Sequence, residues 1–305
     1  MLKDRSSALV VLAIIAVASG CSHGGTDSGV KVSQTAGVTI QEFSASPAKI
    51  YDGQPVSVQL RLKNSGGRQA SDVRARIYNM AFKGDRSWTI VSGSRVKDYN
   101  TLRPANPGTD TPAQTVRRVW RLKAPQLEGD LKIPYTLNTR VFYRYSTRGV
   151  TDITVMTGEE FRNSNVGKSQ PKLDNTGGPI QLGVRTLSPI VFYENSDSIK
   201  SQFCVIAENV GSGTPFLPGA SYDRASDRQN KRKINVSVRA SGTTVSFEKT
   251  EKTVNIIGKE GQTCFTMKAN SLSSGAIQET VPITLTAEYG YFVDERTSLT
   301  VNGAR

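Results

Sequence analysis

Apolar and polar residues alternate with a period of two along most of this chain. The alternation is clearest in residues 56–63, 73–77, 234–239 and 281–288, where every second residue is Val, Ile, Leu or Ala. Successive side chains of a β-strand point to opposite faces, so each segment is expected to form a strand with one buried side. No window shows the period of a helix of three turns. The sequence therefore predicts an all-β protein built from β-sandwiches.

The chain also contains an internal repeat. The motif LKNSGG around Asn64 returns as AENVGSG around Asn209, 145 residues later. The Tyr-x-Tyr pair that begins at Tyr143 returns at Tyr289, 146 residues later. A Ser-Pro pair also precedes each copy of the Asn motif. Two separate motifs with nearly the same offset predict two related domains in tandem.

The repeat and the composition together predict a domain layout. Residues 1–20 are expected to form a signal peptide and residues 21–36 a lipidated, flexible tether. Two β-sandwich domains are expected at 37–160 and 178–305, joined by a polar linker at 161–177. About 270 residues after the tether are enough for two domains of ordinary size.

The repeated motifs have structural explanations. The Asn-x-Gly motif ends a strand and supplies residues that tolerate the positive φ of a turn. Tyr143 and Tyr145, like Tyr289 and Tyr291, fall on one face of a late strand, where they are expected to pack between the sheets. The functional alternative for these four tyrosines is stacking against carbohydrate.

The N-terminus resembles a lipoprotein signal. Lys3 and Arg5 precede an apolar run of 11 residues at 8–18, which is too short to span a bilayer. Small residues then lead directly to Cys21, as in a lipobox, where cleavage precedes a cysteine that receives a diacylglyceryl group. Cys21 is therefore the predicted lipidation site. The alternative is an ordinary secretory signal with an incidental cysteine.

Residues 37–67, with SWTIVSG at 87–93 and the segment 119–143, resemble the CARDB and NEW3-type immunoglobulin-like modules. The whole layout is similar to surface lipoproteins of archaea that have not been characterised. The resemblance covers most of residues 37–303 and implies a role in adhesion, scaffolding or spacing at the cell surface. It carries over no catalytic residues. The second copy departs from the pattern because it has no Trp and contains a long basic loop.

The chain is basic, with a formal net charge of +13 at pH 7. Such a surface favours anionic partners such as phosphate headgroups or acidic glycans, whereas the simpler interpretation is solubility near the protein's own membrane. The charge is dense only at 224–233. The candidate ligand-binding residues in this segment are Arg224, Arg228, Lys231, Arg232 and Lys233.

Two cysteines remain once Cys21 is assigned to the lipid. Cys204 and Cys264 both lie in strand-like segments, and an even pair outside the cytoplasm favours a disulfide within the second domain. Two buried free thiols are the alternative. A redox-active pair is not favoured, because the chain has no C-x-x-C motif.

The chain lacks most residue sets that carry catalysis. Its single histidine is His23, in the predicted tether, which excludes Ser-His-Asp and Cys-His catalysis and His-based metal sites. No Gly-rich phosphate loop is present, and the acidic residues are scattered. We therefore predict no enzyme activity, no metal and no cofactor. The sequence Asn235-Val-Ser forms a glycosylation sequon.

These inferences predict a non-enzymatic, membrane-anchored surface lipoprotein that acts in adhesion, scaffolding or envelope assembly. Its partners would be the membrane, through the lipid, and envelope proteins or anionic surface polymers, with no nucleic acid expected. It would lie on the outer face of the cytoplasmic membrane, or on the outer membrane in a Gram-negative bacterium. The alternative function is binding of an anionic glycan or polymer by the basic loop at 224–233.

Overall fold

The computed structural model describes residues 30–80, 87–193, 198–272 and 275–304. The predicted signal peptide, the lipidation site Cys21 and residues 22–29 of the predicted tether lie outside these residues. The prediction of an anchor therefore stays a prediction. The all-β fold class is confirmed, since the described chain consists almost entirely of strands that form sandwich-like sheets.

The first repeat contributes eight strands, whose alternating burial matches the sequence pattern. They are β1 (Val38–Ser46), β2 (Lys49–Tyr51), β3 (Pro55–Asn64), β4 (Ala70–Tyr78), β5 (Thr89–Ser92), β6 (Val96–Leu102), β7 (Thr115–Lys123) and β8 (Lys132–Thr157). The segment predicted as a linker contains the end of helix α1 (Gly158–Asn163) and β9 (Asp174–Asn175). Helix α1 begins where the Thr157 hydroxyl accepts a hydrogen bond from the Glu160 N–H.

Within the described residues, the second repeat contributes nine strands, one more than the first. Its strands are β10 (Ile180–Val184), β11 (Ile190–Phe192), β12 (Ser198–Asn209), β13 (Thr214–Phe216), β14 (Lys233–Ala240), β15 (Val245–Phe247), β16 (Glu251–Asn255), β17 (Glu260–Asn270) and β18 (Gln278–Asn302). Both repeated Ser-Pro bonds, at Pro47 and Pro189, are cis.

The strands form two small sheets and one large sheet. The small sheets have the order β1-β3-β7-β5 in the first repeat and β10-β12-β17-β15 in the second. The large sheet has ten strands, with the path β16-β14-β18-β8-β4-β6 and the short strands β2, β9, β11 and β13 alongside it. Each small sheet therefore has a counterpart in the other repeat, whereas the large sheet contains strands of both.

The two long strands β8 and β18 join the repeats. They pair antiparallel without interruption from Lys132, opposite Asn302, to Met156, opposite Gln278. Each one begins beside a strand of its own repeat and ends beside a strand of the other. The end of β8 pairs with β11 of the second repeat, and the end of β18 pairs with β2 of the first. The repeats thus exchange strand ends reciprocally.

Because the repeats exchange strand ends, their apolar side chains share a hydrophobic core. A single cluster of buried apolar side chains includes residues of both repeats, among them Leu60, Trp120, Phe203 and Phe265. Leu299 and Val301, from the end of β18, are buried in the same cluster. Burying one such aliphatic side chain stabilises the fold by about 1.5–3 kcal/mol. The division of the chain into separate domains at 160 and 178 stays a prediction.

Candidate functional site

The four repeated tyrosines meet at the centre of the large sheet. Tyr143 lies opposite Tyr291 and Tyr145 opposite Tyr289 in the β8–β18 ladder. Their ring centroids are 5.6 Å and 6.1 Å apart in these two pairs. All four side chains are buried. They therefore pack in the core, as the sequence predicted, and offer no exposed ring to a carbohydrate.

Burial also changes the acidity of these phenols. It raises the pKa of Tyr143 and of Tyr289 well above the ordinary value, because a phenolate inside the core would be poorly solvated. For the same reason the pKa of Tyr145 rises to about 12. These shifts come mainly from the apolar surroundings, so they do not mark an acid–base site.

Equivalent hydrogen bonds connect the tyrosines to the repeated turns. The Arg68 N–H donates to the Tyr145 hydroxyl at 2.9 Å, and the Gly213 N–H donates to the Tyr291 hydroxyl at the same distance. The Asn64 amide donates to two backbone carbonyls near the same turn. The repeated Asn and Tyr motifs are therefore two ends of one structural contact, which holds each turn against the central strands.

Cys204 and Cys264 form a disulfide, as predicted. They are direct cross-strand partners on β12 and β17. Both are half-buried, and their neighbours Phe203 and Phe265 are the residues that point into the core. The disulfide thus lies on the outer face of the small sheet of the second repeat.

The structure brings the predicted basic loop together around one hollow. The five predicted residues line an open depression of about 940 Å³, together with Asp227 and residues 255–257. Arg224 is engaged, because its Nε donates to the Asp227 carboxylate at 3.1 Å. Whether this hollow binds a ligand is untested, so its role stays a prediction.

Residues 222–226, at the start of this loop, pack across the outer face of the large sheet. The Tyr222 ring stacks on Phe142 with centroids 4.9 Å apart. The Arg76 guanidinium donates to the Asp223 carboxylate at 2.8 Å, and Arg140 donates to the Ser226 hydroxyl at 2.7 Å. The sequence did not predict this contact, because nothing local indicates which strands a polar loop will cover.

A second polar depression lies on the same sheet beside β14 and β18. Its volume is about 600 Å³, and Arg68, Arg148, Arg239 and Glu288 are among its lining residues. Asn235 of the sequon also lines it, and its amide donates to Glu251 at 3.1 Å. The depression therefore combines three arginines with two carboxylates, Glu251 and Glu288.

The small sheet of the first repeat carries a surface with an excess of positive charge. We call it the basic sheet face, and it consists of Arg61 and Lys63 on β3 and Arg117, Arg121 and Lys123 on β7. These residues alternate with the buried Leu60, Leu62, Trp120 and Leu122, so they point away from the core. Arg61 and Arg117 are direct cross-strand partners. Like charges in this position destabilise a sheet.

One carboxylate partly offsets this charge. Glu42 on β1 lies 3.6 Å from Arg61, and its pKa is lowered, chiefly by a hydrogen bond from Ser44 and to a lesser extent by the charges of Arg61 and Arg117. Sequence reasoning missed the basic sheet face because its residues are spread over two segments. The alternation in TVRRVWRLK was the signal that could have pointed to it.

The equivalent sheet of the second repeat is electrically balanced. On its outer face Arg185 lies 3.7 Å from Glu260, and Lys200 lies 2.6 Å from Glu248. The two small sheets therefore share a topology but differ in charge. This difference separates what the fold requires from what is particular to the first repeat.

The described residues form neither a metal site nor a membrane-spanning helix. Within the described ranges, no three His, Cys, Asp or Glu residues stand close enough to hold a metal ion. Across that same part of the chain, no helix has the length and apolar character needed to cross a bilayer.

Comparison with known proteins gives only distant likenesses. No protein-family model matches the chain, and no curated protein matches it. The secreted serine protease VesC from Vibrio cholerae is 6% identical over 87% of this chain, with a TM-score of 0.22. The chain spans about half of the VesC chain, at 51%.

Two adhesins give similar values. The collagen adhesin CNA from S. aureus is 8% identical, with 90% of this chain and 96% of that chain covered and a TM-score of 0.14. The CupB6 tip adhesin from Pseudomonas aeruginosa is 8% identical, with 89% and 97% covered and a TM-score of 0.15. Such low scores carry no functional argument, so the site must be interpreted from its own geometry.

Proposed function

We propose that this protein is a non-enzymatic scaffold of the cell envelope, anchored by a lipid on Cys21. The observation that carries the proposal is the β8–β18 ladder, which extends from Lys132 to Asn302 and joins both repeats in one sheet. A hinge between two sandwiches would let each one move separately. A shared sheet instead fixes the surfaces of both repeats relative to each other, which is what a spacer or assembly subunit requires.

The proposed lipid anchor would determine where in the cell this scaffold lies. A diacylglyceryl group on Cys21 would hold the chain stably, since two acyl chains bind a membrane far more firmly than one. Cleavage after Gly20 would place the protein outside the cytoplasm, where the Cys204–Cys264 disulfide is stable. The resemblance to surface modules of the CARDB and NEW3 types agrees with this location.

The chemistry of the described residues supports a non-catalytic role. The tyrosines with raised pKa values are core residues that contact other core residues. The depression beside β14 and β18 places Glu251 and Glu288 among arginines, and the hollow of the basic loop places Asp227 among arginines and lysines. These surfaces are suited to binding and not to bond breaking.

Two measurements on the native protein test the proposal. Intact mass spectrometry of the membrane-extracted chain should show a mature protein that begins at Cys21 and carries a diacylglyceryl mass; an unmodified Cys21 would contradict the anchor. In-cell cross-linking should then recover a reproducible envelope protein at a fixed surface of either repeat. Cross-links confined to the chain itself would count against a scaffold.

A second candidate function is binding of an anionic glycan or polymer by the basic loop. It is favoured by the convergence of all five predicted cations on one hollow. Replacing Arg228, Lys231, Arg232 and Lys233 by Ser should abolish salt-sensitive binding of an acidic polysaccharide. Unchanged binding in that variant would exclude the loop as its site.

A further inference from the structure

The basic sheet face has the properties of a surface that meets many anionic groups at once. Its five cations lie on two adjacent strands, and Glu42 is the only acid among the outward-facing residues of β1, β3, β5 and β7. Arg61, Arg117, Arg121 and Lys123 are exposed. Arg61 lies directly opposite Arg117, and Glu42 alone offsets the charge of the five cations on these strands.

The counterpart sheet shows that the fold does not need this charge. On the outer face of β12 and β17, with their neighbours, Lys200 and Arg185 are each matched by a nearby glutamate. The same topology is therefore compatible with neutrality. The positive excess of the first repeat is therefore not a requirement of the fold, and it favours a partner of negative charge.

The shape of the face indicates the kind of partner. Ligand sites for single molecules are concave, with a few convergent polar groups. The basic sheet face is instead an open strand surface with flexible side chains, and the exposed apolar Val119 lies among its cations. Such a surface matches a plane of phosphate headgroups, which needs charge and contact area but no shaped pocket.

The N-terminal segment of the described chain places the basic sheet face near the predicted anchor. The segment from residue 30 leads directly into β1, the edge strand of this sheet, and the Ser33 N–H donates to the Ser65 carbonyl at 2.8 Å, next to Lys63. The residues between Cys21 and Val30 can span at most roughly 30 Å when fully extended. A lipid on Cys21 would thus hold this sheet within a short distance of the bilayer.

We propose that the basic sheet face binds the anionic phosphate headgroups of the membrane in which the protein is anchored. This inference rests on the proposed anchoring for its biological setting, but the contact itself needs no lipid on the chain. The acyl anchor and the face would act as two signals, one hydrophobic and one electrostatic. The docked face would fix which surfaces of the protein point away from the membrane.

The test uses the chain from residue 22 onward, which keeps every described residue and lacks the lipidated cysteine. It is mixed with vesicles of phosphatidylglycerol and phosphatidylcholine, or of phosphatidylcholine alone, and sedimented. We expect binding only to the anionic vesicles, with a loss as the salt rises from about 0.1 M to 0.5 M. Equal binding to both vesicles, or none to either, would overturn the proposal.

Two charge-matched variants locate the contact. The face variant replaces Arg117, Arg121 and Lys123 by Ser, and the loop variant replaces Arg228, Lys231 and Lys233 by Ser, so each loses three positive charges. Each cation near an anionic membrane contributes roughly fivefold in affinity, so the face variant should bind roughly a hundredfold more weakly, whereas the loop variant should change little. Equal losses would indicate a net-charge effect and contradict a localised site.

A further titration distinguishes a membrane ligand from a soluble polymer. The same proteins are titrated with a soluble acidic polysaccharide, polyglucuronate, in the absence of vesicles. Binding of polyglucuronate through the face arginines, without binding to anionic vesicles, would overturn the membrane proposal. Because lipidation of Cys21 is measured separately by mass, failure of the anchor and failure of this contact give different results.

Discussion

At the scale of single residues, the central tyrosines link the two repeats and make stability sensitive to alkaline pH. The pKa of Tyr145 is raised by burial to about 12, above the ordinary value of 10. The unfolded chain therefore loses this proton first as the pH rises. The stability that this group contributes is complete below pH 10 and is lost as the pH rises through the folded-state value.

The Tyr145→Phe variant tests this effect. It should be less stable by about 1–3 kcal/mol at neutral pH, because the Arg68 N–H and the Gly177 carbonyl lose their partner. Its stability should fall less steeply above about pH 10, by about 1.4 kcal/mol per pH unit. Urea unfolding at several pH values measures both terms. The exposed Tyr51→Phe is the control, and an unchanged slope in Tyr145→Phe would contradict the argument.

Gly290 is another residue on which the packing of the central sheet depends. The Phe216 ring packs directly on its backbone, at the position opposite Arg144 in the ladder, so a Cβ would collide with the ring. We expect Gly290→Ala to destabilise the protein by about 1–3 kcal/mol in thermal or urea unfolding. Gly219→Ala, where nothing lies close to the added carbon, should be nearly neutral. Equal effects of the two substitutions would show that Phe216 is not constrained.

The sequence predicted that these tyrosines are buried, but not that the tyrosines of one repeat contact those of the other. Tyr143 and Tyr145 lie on either side of the polar Arg144 and share one face of a strand, and that local pattern indicates a position in the core. Their pairing with Tyr291 and Tyr289 joins residues almost 150 positions apart, and no local pattern specifies that register. The need for glycine at 290 was likewise hidden, because it depends on a loop from another part of the chain.

At the scale of elements, the Cys204–Cys264 bond clamps two strands across the outer face of one sheet. It closes a loop of 60 residues, for which the chain-entropy model gives about 4 kcal/mol as an upper value. The variant with both cysteines replaced by Ser should lose up to this amount in urea unfolding. Because the sulfurs lie outside the core, the folded structure should persist. The reduced wild-type protein is the matched comparison, and a variant as stable as the oxidised protein would contradict the prediction.

The strands themselves were predictable, but their extent was not. Segments such as 56–63 and 281–288 form strands where the alternation placed them. The length of β8 and β18 was not evident, because arginines and threonines interrupt the apolar pattern where each strand leaves its own sandwich. At these interruptions the outward side chains of the strand face a loop or solvent, whereas its inward side chains still pack in the core. The basic sheet face escaped notice for a related reason, since strand pairing alone brings β3 and β7 together.

At the scale of the whole molecule, the reciprocal exchange of strand ends makes each repeat incomplete alone. The first repeat borrows Leu299 and Val301, and the second borrows Ile153 and Val155. We expect a fragment of residues 22–177 and a fragment of residues 178–305 each to lack a cooperative unfolding transition. Mixed in equal amounts, they should form a one-to-one complex that unfolds cooperatively, as followed by circular dichroism and gel filtration. A fragment that unfolds cooperatively by itself would disprove the interdependence.

The symmetry of the exchange has one more consequence. The β8–β18 pairing is symmetric about Arg144 and Gly290, which are equivalent residues of the two repeats and lie opposite each other, so the repeats are related as two subunits would be in a strand-swapped homodimer. The covalent chain therefore has the arrangement of a dimer fused into one polypeptide, and its two small sheets can carry different charges because their sequences are independent.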